Sequence, residues 1–316
     1  MEGIGRYEVV RRLGVGAFAT VWYGWDPALS VHVAIKVLAD NWSHDADVRQ
    51  RFLAEARLLR RIADDRVVRV HDIGELPDGR PYFVMDHADG GTLAELVADP
   101  PGASTALRLG AESARALQVL HEHGVVHRDV KPSNLLLARR EGEPGVLIAD
   151  LGMAKALADA SGFTMTVGTP AYMAPEQAHG TGGFDERADV YATAAVTYGL
   201  LTGGPPFATG AGLAGVLARS PEAAPEPVAG DVGAPRDLDV LLREALAHDP
   251  SRRPRTALEL ANRLDGIRRR MELDDPDGVP DGEPASGWTS RALAGLGVAT
   301  FAVFMAATWL TLRLLG

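Results

Sequence analysis

The hydrophobic pattern of this chain changes period once, and that change constrains the fold more than any other feature. Up to about residue 86, apolar residues come in short runs typical of strands: Tyr7-Glu8-Val9-Val10, Thr20-Val21-Trp22-Tyr23-Gly24 and Val31-His32-Val33-Ala34-Ile35-Lys36-Val37. One helix intervenes near residues 46–63, strands return at 67–73 and 82–85, and beyond about 103 helical spacing dominates. A strand-rich part followed by a helix-rich part predicts an α+β fold of two lobes, residues 7–85 and 91–268. The pattern breaks between them at Asp86-His87-Ala88-Asp89-Gly90-Gly91, and no internal repeat is visible.

Composition narrows the class. The 316 residues, 46% hydrophobic, can fill one large two-lobed domain. A net charge of −10 argues against a nucleic-acid partner, which calls for a basic surface. With no cysteine, disulfides, thiolate metal sites and cysteine nucleophiles are excluded. The first residues, Met1-Glu2-Gly3-Ile4-Gly5-Arg6-Tyr7, hold no apolar run, so no signal peptide is expected.

Residues 292–312 carry no charge and are bounded by Arg291 and Arg313, with Trp288 and Trp309 near the ends. That length crosses a hydrocarbon core of about 30 Å at about 1.5 Å per residue. The expectation is a transmembrane helix over residues 291–313. Because only Leu314-Leu315-Gly316 follow, it reads as a tail anchor with the folded part on the cytoplasmic side of the cell membrane. Gly295, Ala299, Ala302 and Ala306 make a stripe of small residues that would let two spans pack as a homodimer, although an Ala-rich chain yields such stripes by composition alone. Residues 269–290, rich in Asp, Glu, Pro and Gly, read as a disordered tether. At its start, Arg268-Arg269-Arg270 suits either lipid head groups or the C-terminal end of a helix.

Only three of the 32 Lys and Arg residues are lysines: Lys36, Lys131 and Lys155. A genome that favours Arg explains the arginines but not where the lysines fall. Each sits inside a short motif where a compact ammonium serves better than a planar fork. Lys36 ends Val33-Ala34-Ile35-Lys36 on an apolar strand, where a charge needs a partner. The helix at 46–63 offers Glu55 on the same stripe as Phe52, Leu59 and Ile62. A Glu alone on that face would be costly, so the two are expected to pair and to aim the ammonium at phosphate.

Leu13-Gly14-Val15-Gly16-Ala17-Phe18-Ala19-Thr20-Val21 is a glycine-rich turn between strands, where backbone N–H groups can approach phosphate oxygens closely. A dinucleotide-binding reading would need a helix to follow, and a strand follows instead. In His127-Arg128-Asp129-Val130-Lys131-Pro132-Ser133-Asn134, Asp129 and Asn134 can face one cavity, one accepting a hydroxyl proton and the other binding metal. Leu147-Ile148-Ala149-Asp150-Leu151-Gly152 sets a hard carboxylate ligand at the end of a strand.

In this order and spacing the motifs resemble those of the eukaryotic-like serine/threonine protein kinases of bacteria, over residues 7–268. The resemblance extends to Ala174-Pro175-Glu176, to Asp185-Glu186-Arg187-Ala188-Asp189-Val190-Tyr191 and to Asp249-Pro250-Ser251-Arg252-Arg253-Pro254. It implies a two-lobed kinase fold that uses ATP and Mg²⁺, with Mn²⁺ as an alternative ion, and acts on Ser or Thr of protein substrates. By that resemblance Lys36 holds the α- and β-phosphates and Glu55 holds Lys36. Asn134 and Asp150 bind the metal, Asp129 is the base, Lys131 meets the γ-phosphate, and Thr169 lines the acceptor site. The adenine lies among Val21, Ala34 and Leu136 and meets backbone groups of Asp86 and Ala88, with Met85 at the back. Leu59, Val70, His127 and Leu151 form an apolar stack, Glu176 pairs with Arg253, and Asp189 braces the catalytic loop. Arg128 and Lys155 would receive a phosphate on Thr164 or Thr166, with Ser161 nearby.

Two residues depart from the family pattern mildly: Ala19 stands for a third glycine and Leu151 for a more usual Phe. The segment between Gly152 and Gly168 is somewhat short. Two other classes remain at this point. A pseudokinase scaffold has no chemical need for Lys36, Glu55, Asp129, Asn134 and Asp150 together. A small-molecule kinase of related fold is not expected to carry the segment from Gly168 to Glu176.

Overall fold

The computed structural model describes residues 3–139, 144–151, 170–179, 183, 185–207 and 212–274. The first lobe is an antiparallel sheet of β1 (Glu8–Val15), β2 (Ala19–Asp26), β3 (Val31–Leu38), β4 (Val70–Glu75) and β5 (Pro81–Asp86), in the order β1-β2-β3-β5-β4. β3 lies at its centre, and its apolar run is buried from Val33 onward. Pairing sets Val21 opposite Lys36, Lys36 opposite Phe83 and Ala34 opposite Met85. Residues paired across strands, and those two apart along one, share a face, so all of these line one side of the sheet.

Helix α1 (Ala46–Arg61) starts at Asp45, whose side chain accepts the N–H groups of Asp47 and Val48. Its buried face carries Phe52, Glu55 and Leu59 and is continued by Ile62, the stripe expected from sequence. The expected strand at 67–73 divides in two. Only Val70 onward joins the sheet; Val67 bridges instead to Ile148, while Val68 donates its N–H to Ile148 O and Ile148 donates to Arg66 O, both at 2.9 Å. Those bonds stitch the first lobe to the second.

The second lobe begins with α2 (Leu93–Ala98), a short helix absent from the sequence reading, and α3 (Ala103–Glu122). A β-hairpin of β6 (Leu135–Ala138) and β7 (Gly145–Ile148) follows. Next come α4 (Pro175–Ala178), α5 (Arg187–Thr202), α6 (Gly212–Leu217), α7 (Asp237–Ala245) and α8 (Ala257–Asp274). α5 is buried on every side from Ala188 to Leu201. Two of its buried threonine hydroxyls are satisfied within the helix: Thr193 donates to Asp189 O at 2.8 Å and Thr197 to Thr193 O at 2.9 Å. α3 and α5 meet at Gly110, where a Cβ would lie 2.4 Å from Thr197 Oγ1.

α8 runs through Arg268-Arg269-Arg270 to Asp274, so the stretch expected as a tether from residue 269 begins as helix. The basic triplet is helical, and Arg268 and Arg270 are paired with Glu272 and Asp237. No helix among the described residues is long and apolar enough to cross a membrane. The expected span at 291–313, with its stripe of small residues, lies outside them.

Candidate active site

The cleft is built from three short segments, each fixed by its own local bonding. The first is the chain after β5. Gly90 donates its N–H to Leu137 O at 2.8 Å, and Leu137 returns a bond to Gly91 O at 2.9 Å. A Cβ on Gly90 would come 2.6 Å from Leu137 O, so this approach requires glycine. It brings β6 against the chain that follows β5, where Thr92 bridges to Leu136. Val21, Ala34 and Leu136, the residues expected around an adenine, all belong to or pack against the main apolar core. Asp86 spends its backbone N–H on Arg69 O and its carboxylate on Arg69 N–H and His71 Nε2.

The second segment is the β6–β7 hairpin with the loop before it. Leu135 pairs with Ile148, and Ala149 donates its N–H to Asn134 O at 3.1 Å, which brings Asn134 beside the chain entering Asp150. Asp150 and Arg128 have φ of 63° and 70°, left-handed conformations that L-residues rarely adopt. Both stand at the cleft, where such strain is retained when the surroundings over-determine it.

Lys36 Nζ lies 2.7 Å from Glu55 Oε1 and 3.0 Å from Asp150 Oδ1. The Lys36 and Glu55 side chains are 8% and 2% exposed, whereas that of Asp150 is 48% exposed and opens to the cleft. The ammonium also lies over the rings of Phe52 and Phe83. Burial alone would push its pKa down, but the charges of Asp150 and Glu55 outweigh burial and hold it well above the usual lysine range. For Asp150, burial is likewise outweighed, by Lys36 and more weakly Lys131, so its carboxyl is held low and stays ionised. Glu55 differs: burial pushes its carboxyl up against the pull of Lys36. It also accepts a bond from the backbone of Leu151, which ties α1 to the residue after Asp150.

The third segment is the loop from His127 to Asn134. Lys131 Nζ donates to Asp129 Oδ2 at 2.8 Å. Asn134 Nδ2 donates to Asp129 O at 2.8 Å and to Asp129 Oδ2 at 3.3 Å, which leaves its amide oxygen as the end with lone pairs for a cation. Asp189 braces the loop as expected. It accepts the N–H of His127 at 2.7 Å, the N–H of Arg128 at 3.0 Å and His121 Nε2 at 2.9 Å. His127 is fully buried, with Nε2 at 3.3 Å from Ala149 O and Nδ1 accepting from Asp129 N. Leu59, Val70, His127 and Leu151, the residues of the expected stack, are each buried. Glu176 and Arg253 form a bidentate pair at 2.6 and 2.8 Å.

Some expectations shift. The turn is narrower than the glycine-rich string implies: Leu13, Gly14 and Val15 belong to β1, Ala19 and Val21 to β2, and only residues 16–18 turn. Lys155, Thr164, Thr166 and Thr169 lie outside the described residues. The structure adds positions that sequence reasoning missed. His121 reaches Asp189 from α3, and Gln177 donates from Nε2 to Arg128 O at 3.0 Å. Neither follows a periodic pattern that could have marked it.

The cleft combines an ammonium between two carboxylates, a second carboxylate–ammonium pair and an amide oxygen. That is the equipment of a phosphoryl-transfer site. The comparisons with known proteins agree. Residues 7–263 match the model of the protein kinase domain, and the chain belongs to that family. Serine/threonine-protein kinase PknJ of Mycobacterium tuberculosis is 39% identical over 263 residues, which span 81% of this chain and 44% of that protein. Serine/threonine-protein kinase Pkn1 of Myxococcus xanthus is 37% identical, over 82% of this chain and 38% of that protein. The chain thus spans less than half the length of these relatives. The crystal structure of the Mycobacterium tuberculosis PknI kinase domain superposes with a TM-score of 0.64 at 29% identity, covering 84% of this chain and 98% of that one.

Proposed function

We propose that this chain is a serine/threonine protein kinase that transfers the γ-phosphoryl group of ATP to Ser and Thr hydroxyls of proteins. One observation carries the reading. The ion cluster of Lys36, Glu55 and Asp150 and the Asp129–Lys131–Asn134 loop each hold together by their own hydrogen bonds, and the Ala149 N–H bond to Asn134 O joins the chain entering Asp150 to that loop. Lys36, oriented by Glu55, would hold the α- and β-phosphates. A Cβ on Gly14 would meet nothing within 4 Å, so the protein itself supplies no reason for glycine there; close approach of a phosphate supplies one.

Asp150, ionised and half exposed, and the Asn134 amide oxygen offer two hard ligands. That suits Mg²⁺ or Mn²⁺, which take one or two protein oxygens and complete their shell with phosphates and water. When bound, the metal neutralises charge on the phosphates. Asp129 would accept the proton of the attacking hydroxyl. Lys131 Nζ, which donates to Asp129, would meet the γ-phosphate as well.

The reading extends to regulation and place. Phosphorylation of Thr164 or Thr166 by a sister molecule, received by Arg128 and Lys155, would order the segment before Thr169. Full phosphorylation of that segment in Asp129→Asn protein, with no other kinase present, would refute this. The uncharged residues 292–312 support a membrane anchor with the kinase domain on the cytoplasmic side, and the small-residue stripe supports a homodimer. The catalytic reading is tested by transfer from γ-labelled ATP to a Ser/Thr-containing protein. Wild type should label Ser and Thr and Lys36→Met should not; equal labelling, or label on Tyr alone, overturns it.

A further inference from the structure

The glycine-rich turn is tied down by a residue outside the motif that defines it. Trp42 closes the short 3-10 turn Asp40–Trp42 after β3. Its indole Nε1–H donates to Ala17 O at 2.9 Å. Its ring stacks on Phe18, with centroids 5.1 Å apart and planes 28° apart. Phe18 O in turn accepts the Ala39 N–H at 2.9 Å, and Ala19 O accepts the Gly16 N–H at 2.8 Å. Trp42 and Phe18 are both half-buried against the main core. Each residue of the turn is therefore bonded to the stretch after β3 or across the turn.

The Ala17 carbonyl and the Phe18 N–H belong to one planar trans peptide, so they point in opposite directions. Fixing that carbonyl on Trp42 fixes the Phe18 N–H on the other side of the turn. A short exposed turn left alone would sample many conformations, and ordering it would draw on the free energy of nucleotide binding.

We propose that Trp42 is a positioning residue for the nucleotide's phosphates: it pre-orders residues 16–18 so that their backbone N–H groups meet the phosphate chain without prior rearrangement. The proposal rests on the reading that this turn covers ATP. The latch acts on the phosphate end and not on the adenine slot of Val21, Ala34 and Leu136. Its signature is therefore a loss of affinity for phosphorylated nucleotide without loss for the bare nucleoside.

The test measures ADP and adenosine affinities by competition on the full chain. Trp42→Phe keeps a ring on Phe18 and removes the N–H; ADP should weaken about 2- to 10-fold, the worth of one hydrogen bond. Trp42→Ala also removes the stack and should weaken ADP about 10- to 50-fold. Adenosine should stay within about twofold in both, on the same hydrogen-bond scale. Unchanged ADP affinity in both variants, or a parallel fall for adenosine, overturns the latch. Should Trp42→Ala fail to fold, Trp42→Phe decides alone. Lys36→Met separates this outcome from the parent reading. If Lys36→Met keeps the wild-type preference for ADP over adenosine, the phosphate assignment of the cleft fails. If it loses that preference while the folded Trp42 variants keep it, only the latch fails.

Discussion

Replacing Arg253 by Lys keeps the charge and should still be among the most damaging changes in the second lobe. The Arg253 side chain is fully buried, and every N–H of its guanidinium is used. Nε donates to Ala247 O at 2.8 Å. Nη1 donates to Glu176 Oε1 at 2.6 Å and Arg187 O at 3.1 Å. Nη2 donates to Glu176 Oε2 at 2.8 Å and His248 O at 3.1 Å. The guanidinium also lies 4.9 Å from the centroid of the Tyr191 ring. A lysine has three donors for these acceptors, so at least two lose their partner, at about 1–3 kcal/mol each. The resulting loss of about 2–6 kcal/mol brackets the roughly 3–5 kcal/mol typical of breaking a buried pair. At roughly 2–4 °C per kcal/mol for a domain of this size, calorimetry of the full chain should show Tm lower by roughly 5–20 °C. Transfer activity should fall too, because Gln177, next to Glu176, holds the Arg128 carbonyl. A Tm within about 2 °C of wild type, less than the smallest loss calculated here, would refute the donor-counting argument.

Other outcomes follow from the same geometry. Asp189→Asn keeps only one acceptor oxygen for three donors and orphans at least one buried N–H. Turnover should fall at least about tenfold while nucleotide affinity holds, and turnover within twofold of wild type would contradict the bracing role. Arg66 hydrogen-bonds Asp64 through side chain and backbone and holds its carboxyl at about 2, against an ordinary 3.8. A depressed carboxyl stabilises the fold above its unfolded pKa and loses that contribution as pH falls through the folded one. Between about pH 4 and pH 2, urea unfolding should therefore weaken more in wild type than in Asp64→Asn, by at most about 2 kcal/mol because the pair is partly screened by solvent. Identical acid limbs would remove Asp64 from that account. Since Arg66 O accepts the Ile148 N–H, the loosened contact is the stitch between the lobes.

The site was legible in the sequence where chemistry forced a choice. A lysine on an apolar strand and a glutamate on an apolar helix face each needed a partner, and they found one another. Asp129, Asn134 and Asp150 were legible because their spacing matched the family motif. Residues 67–68 misled because two apolar residues before a strand look the same whether they extend it or cross to Ile148. Trp42, His121 and Gln177 stayed hidden for a related reason. They act on groups distant in the chain, mostly main-chain carbonyls, and neither spacing nor composition records which residue a donor will meet. The tether was placed to begin too early because charge and low apolar content also describe an exposed helix end such as Arg268–Asp274.

The measurement that bears most directly on the central claim compares wild type with Asp129→Asn in two readouts, ATP binding and transfer of γ-label to Ser or Thr of a protein. The account predicts that the variant binds ATP about as well as wild type and transfers label at least about 100-fold more slowly, the scale of a lost general base. Transfer at the wild-type rate would contradict it.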